Sequence, residues 1–321
     1  MQWDLILTKG FSVAIMLGLF ALIVVFLRFL YGPKGIFRDP VWDKWNEEAR
    51  RKLEQDEDAK ADARLKRAFL AYAKGFLSGD AAEDAPVELK IEHTLKVLAY
   101  AEKIVAGEQA FADHNTGRAL RIAALFHDVG RFEQYRTFRT FTDAESCNHG
   151  ALGARILRRE GFLRNETRQM RGLVMGAVAA HNSLKLPARY SGVALDVLCG
   201  LKDADKLDIF RVLSEKLAPG AEKDAVALLH LKDEDGLFSA PVLAALEEGR
   251  VALYSDMRYY NDFRLLLCSW VFDLHFETSC RMMQSEGHLD AVISGLANIP
   301  ETQAIAREKV ERRFSIVLLS K

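Results

Sequence analysis

Apolar residues recur along most of this chain at the 3.6-residue period of an α-helix, and no convincing run alternates as a half-buried strand would. Leu120, Ala123, Ala124 and His127 follow the spacing i, i+3, i+4, i+7. Val174, Ala177, Val178 and His181 repeat it, and so do Leu198, Leu201, Lys202 and Asp205. His93 lies on another such helix, whose inner face includes Leu98 and Ala101, and His149 opens the helical stretch HGALGARIL. The pattern predicts an all-α fold, a single bundle-like unit. Three of the stripes end on a side chain able to ligate a metal, and polar ligands on the buried faces of separate helices can converge at the centre of a bundle.

The N-terminal part departs from this pattern. GFSVAIMLGLFALIVVFL, residues 10 to 27, is an uncharged run of 18, bounded by Lys9 and Arg28. Such a run can span roughly 30 Å of hydrocarbon. It predicts a retained transmembrane helix within residues 1–32. A cleaved signal peptide fits less well, because the run exceeds the usual apolar region and no A-x-A-like site follows it. Arg28, Lys34 and Arg38 on the C-terminal flank outweigh Lys9, which predicts a single-pass protein of the cytoplasmic membrane whose remaining chain faces the cytoplasm. Residues 33–80 read as a charged helical connector: 16 of the 25 residues from Asp43 to Arg67 are charged, and Asp39-Pro40 looks like a helix start. Leu65, Ala68, Phe69, Tyr72 and Phe76 then form an apolar stripe, SGDAAEDAP at 78–86 reads as a loop, and the main domain is expected over 81–321.

Composition narrows the function. With 44 Lys and Arg against 45 Asp and Glu, the net charge of −1 gives no general affinity for nucleic acid, so phosphate recognition would have to be local. The four cysteines share no CxxC spacing and read as reduced core residues. Neither G-x-S-x-G nor a P-loop is present.

Taken together, IEHTLKVLAYA, ALFHDVGRFEQYRTF, DAESCNHGALGARIL, AVAAHNSLKLP and LKDADKLDIFRVL resemble the HD-domain metal-dependent phosphohydrolases, in the six-ligand subset ordered H, HD, H, H, D. The resemblance covers residues 86 to 317, including WVFDLHFETS at 270–279, and leaves out the apolar run and the charged connector. It implies a first metal held by His93, His127, Asp128 and Asp205 and a second held by His149 and His181, with Asp128 bridging the two. Asp205 is preferred to Asp203 because the family's last aspartate sits in an ADKL-like context. Asp208, one turn on, could orient a ligand or the substrate.

The implied cofactors are two divalent ions, such as manganese, iron or magnesium, and the implied activity is hydrolysis of a phosphoester, a nucleotide or related small metabolite, by water that the metals activate. Arg131 occupies the position at which related HD-GYP phosphodiesterases carry a phosphate-binding lysine; the competing role is an ion pair to Glu133 or Asp143. Lys185 and Lys206 are weaker candidates for the same task, and Gln134 and Tyr135 could line the pocket. The paired histidines and GYP tripeptide of cyclic dinucleotide phosphodiesterases are absent around His181. His114, His230, His275 and His288 fall outside the ligand pattern. The same ligands also suit a mixed-valence diiron oxygenase, and a catalytically idle metal-binding signalling module is a third reading.

Overall fold

The structure, a computed structural model, describes residues 2–31, 40–217 and 231–319, with side chains described throughout these except at 2–15, 31, 40–43 and 319. Two compact units divide between Arg64 and Leu65. The first contains helix α1 (Gln2–Tyr31) and the greater part of α2 (Pro40–Lys74). In α1 the described side chains from Met16 to Phe29 are largely solvent-exposed although most are apolar. Among the described residues no helix is long and apolar enough to cross a membrane. The expected span at 10–27 lies partly outside them, its side chains being described only from Met16 onward.

The second unit begins earlier than the loop at 78–86 suggested. Leu65, Phe69 and Ala73, at the end of α2, are buried, and Phe69 meets Phe126 and Phe132 edge-on, each at 5.9 Å. Tyr72 and Phe76 add further ring contacts to Phe132 and Phe162. Each large apolar side chain so buried contributes about 1.5–3 kcal/mol, and that anchors the end of α2 to the bundle.

Helix α3 (Ala81–Gly107) starts inside the stretch read as loop, with Pro86 in its second turn. The capping chemistry outweighs the proline signal: Asp80 accepts from the Ala82 and Glu83 amides, and Asp84 turns back to accept from the Ser78 and Gly79 amides. So close to the N-terminus, proline costs the helix a single backbone bond.

The bundle continues with α4 (His114–Phe126), α5 (Val129–Phe138), α6 (His149–Arg159), α7 (Arg168–Ala180) and α8 (Gly192–Lys216). Helix α3 packs on α4 and α8, α6 lies between α5 and α7, and α4 touches both α7 and α8. Beyond residue 230 follow α9 (Ala240–Glu247), α10 (Tyr260–Ser269), α11 (Glu277–Ser285), α12 (His288–Ser294) and α13 (Pro300–Leu319). Helices α11 and α12 pack on α8, and α13 packs on α9 and α11. Among the described residues the only pairing of extended backbone is an isolated bridge between Lys232 and Tyr259, so the architecture is all-helical.

Candidate metal centre

Where two helices meet, the chain presents its polar side chains. His127 ends α4 and Asp128 precedes α5 with φ −100° and ψ 14°, so the sharp junction projects both residues into the bundle. His149 is the first residue of α6, whose start is fixed by Asn148 accepting from the Ala151 amide. His181 closes α7, His93 lies within α3, and Asp205 within α8. Glycine brings these starts together: a Cβ at Gly130 would overlap the His149 carbonyl oxygen, and one at Gly150 would lie 2.8 Å from that of Val178. The backbones of α5, α6 and α7 can therefore approach to contact.

All six predicted ligands converge, in two groups. The ligand atoms of His93, His127 and Asp205 lie within 4.8 Å of one another, and so do those of Asp128, His149 and His181. His93 Nε2 stands 3.2 Å from His127 Nε2 and 3.0 Å from Asp205 Oδ1. His149 Nε2 stands 3.1 Å from His181 Nε2. The two oxygens of Asp128 divide between the groups. Oδ2 is 3.7 Å from both His93 Nε2 and His127 Nε2, while Oδ1 is 3.5 Å from His149 Nε2 and 3.8 Å from His181 Nε2.

The outward ring nitrogens decide what the inward ones can do. His127 Nδ1 and His181 Nδ1 each lie 2.8 Å from a backbone carbonyl, of Ala124 and Val178 respectively. A carbonyl only accepts, so both Nδ1 atoms carry the proton. His93 Nδ1 meets the Asp208 carboxylate at 2.7 Å, and His149 Nδ1 meets Asp143 at 2.8 Å. With the protons held outward, the four Nε2 lone pairs face inward, toward each other and toward two carboxylates. Burying converging acceptors without a donor is unfavourable, and a divalent cation removes the conflict. The residues fit a metal, and the hydrogen bonds to Nδ1 are those that fix ligating imidazoles.

Burial opposes ionisation of Asp128, yet the positive charges of Lys90 and Arg131 beside it keep its carboxyl well below the usual range. Burial likewise opposes ionisation of Asp205, yet the adjoining His127 and His93 rings keep its carboxyl well below the usual range. Burial pushes His149 down to about 4, so the ring is neutral near pH 7, as a ligand must be.

Several residues hold roles that sequence reasoning missed. Lys90, one turn before His93, places Nζ 2.8 Å from Asp128 Oδ2. Asp143, considered only as a partner of Arg131, is also the acceptor that orients His149, and it accepts from Asn182 at 2.9 Å. Arg131 adopts the ion-pair alternative, with Nη1 bonded to the Phe141 carbonyl and 3.1 Å from Asp143, while Glu133 pairs with Arg159. Arg131 Nε remains without a hydrogen bond, 3.4 Å from Asp128 Oδ1. Gln134 is buried beneath the centre and donates to Ser146 and the Cys147 carbonyl. Lys206 binds Asp273, and Lys185 is exposed.

Asp203 is fully buried, facing away from the cluster. It accepts from the backbone amides of His275 and Phe276 and from the His275 ring at 2.8 Å. His114 is exposed at the start of α4, His288 starts α12, and His230 lies outside the described residues.

No curated protein and no solved structure matches the chain. A family model does match it: residues 91–209, the stretch that carries all six ligands, match the HD domain, a family that includes metal-dependent hydrolases, and this supports placing that segment in the HD-domain superfamily.

Proposed function

We propose that the protein is a phosphohydrolase that cleaves a phosphoester with two divalent metal ions. The observation that carries this reading is the division of Asp128 between two groups of inward-facing imidazole nitrogens. In this reading His93, His127 and Asp205 would hold one ion, His149 and His181 the other, and Asp128 would serve both. Ions so bound lower the pKa of water and withdraw charge from a phosphoryl oxygen.

The protein's own groups set the surroundings of that reaction. Asp208 and Asp143 fix two of the rings. Lys90 and the Nε edge of Arg131 stand on opposite oxygens of Asp128 and add positive charge where an anionic ester would approach. Hydrolysis directly by water needs no nucleophilic serine or cysteine.

The membrane anchor belongs to the same proposal. Its support is the uncharged run at 10–27 and the exposure of apolar side chains such as Met16, Phe20 and Phe29, which water disfavours and a bilayer would cover. Retention of the full chain in the membrane fraction, with release of a form lacking residues 1–32, is the expected result of fractionation.

Activity is tested with the purified full chain and added manganese or iron. Phosphate released from phosphomonoesters under anaerobic conditions is expected; oxygen uptake by the iron-loaded protein, with no phosphate release, would replace this reading by the oxygenase.

A further inference from the structure

Beside the ligand cluster lies a cavity of about 460 Å³, and His181 and Asp205, one from each ligand group, form part of its wall. Much of the remainder is apolar: Leu184, Ile209, Val251, Leu253, Tyr254 and Trp270. Leu184, Leu253 and Tyr254 are 74%, 42% and 53% exposed, so the apolar lining reaches solvent. The larger polar side chains of the wall already have partners. Lys202 Nζ donates to the Ser183 carbonyl at 2.8 Å, Lys206 pairs with Asp273, and the Asn182 amide donates to Asp143.

Val251, Leu253, Tyr254 and Trp270 come from 251–270, beyond the segment that matches the HD domain. Helix α8 holds the neighbouring chain in place from either side of Asp205, Asp203 gripping the 275–276 backbone and Lys206 gripping Asp273.

We propose that this cavity receives an apolar alcohol group, so that the substrate is an amphiphilic phosphate ester: a phosphate directed to the ligand cluster and a hydrocarbon chain along Ile209, Leu253 and Trp270. The proposal rests on the phosphohydrolase reading of the cluster. In the reaction, water oxygen bonds to phosphorus, the ester P–O bond breaks, and the departing alkoxide oxygen takes up the proton that the attacking water releases. A sugar or nucleobase would set hydrogen-bonding groups against the apolar stretch of Leu184, Leu253 and Trp270, at a loss on the order of tenfold in affinity for each group left unpaired. A hydrocarbon chain needs no such pairing and gains about threefold for each methylene buried.

The full chain, loaded with manganese, is titrated calorimetrically with methyl-, butyl- and octylphosphonate below their aggregation concentrations. Phosphate release is followed in parallel from butyl phosphate, octyl phosphate, glycerol phosphate and a nucleoside monophosphate. Octylphosphonate is expected to bind about 80-fold more tightly than butylphosphonate, and the ratio should fall below about fivefold in the double variant Leu184→Asn, Leu253→Asn. Octyl phosphate should also have the highest kcat/KM.

Equal affinities for the short and long phosphonates would overturn the proposal, as would faster turnover of glycerol phosphate or the nucleotide. Chain-length-dependent binding without phosphate release from any ester would overturn the hydrolase reading and leave the apolar ligand site standing. Phosphate release without chain-length dependence would do the reverse.

Discussion

Lys90 Nζ lies 2.8 Å from Asp128 Oδ2, the same carboxylate oxygen that faces His93 and His127. The ammonium also sits 5.4 Å from the centre of the Phe141 ring, and little of its side chain is exposed. A cation in this place draws anions toward the cluster without ligating metal. Replacing it by Met should weaken binding of inorganic phosphate to the metal-loaded protein by about tenfold, with metal content unchanged by elemental analysis. Unaltered phosphate affinity would reduce Lys90 to a strut for Asp128.

Asp128 turns one carboxylate oxygen toward each ligand group. Asp128→Ala should therefore lower metal content at both groups and reduce phosphate release by at least about a thousandfold. Elemental analysis and single-substrate kinetics check this. Full metal content with ordinary turnover would remove the shared-carboxylate centre.

Asp208 acts on His93 from behind, across the 2.7 Å contact with Nδ1. Asp208→Asn can no longer anchor that proton as a carboxylate does, and manganese affinity should fall by about 10- to 100-fold. Asp143→Asn should have a similar effect through His149. Competition against a fluorescent chelator measures both.

Relief of the converging lone pairs should appear as thermal stability. Manganese at about 100 times its dissociation constant adds about 2.7 kcal/mol to the folded state, which raises Tm by on the order of 5 °C. Chelation should reverse the gain. A Tm indifferent to metal and chelator would mean that the cluster binds no ion.

The pair of His275 and Asp203 supplies a pH dependence away from the cluster. Burial opposes the charged ring, but hydrogen bonding to Asp203 raises its pKa from the ordinary 6.5 to about 10. A group whose folded pKa is raised contributes stability that is fully present below its unfolded pKa and lost as pH rises through the folded one. The deficit in Tm of His275→Gln should thus be largest below about pH 6.5 and shrink toward pH 10. A deficit constant across that range would exclude the ion pair as its cause.

Most of the cluster could be read from the helical period, because His127, His181 and Asp205 end apolar stripes that must face the core. The partners of those rings were less legible. Asp143 reaches His149 through the short connection between α5 and α6, whose path follows no period, and Lys90 becomes visible only once its helix face is matched to the position of Asp128. The beginning of α3 was obscured by Pro86, since the side-chain caps of Asp80 and Asp84 act over too short a range to register as pattern. The apolar wall at 251–270 comes largely from a loop and a short turn before and at the end of α10, so its relation to residues 181 and 205 exists only in three dimensions.

The contact of Gly130 with the His149 carbonyl has a further implication for cation choice. Where main chain rests on main chain, α5 and α6 cannot slide closer to grip a smaller ion, and the spacing of Asp128 from His149 is set by the scaffold. For any ion held there, such a frame would discriminate by ionic radius. Any side chain at position 130, even a methyl group, would widen the gauge and shift preference toward larger cations before it abolished binding.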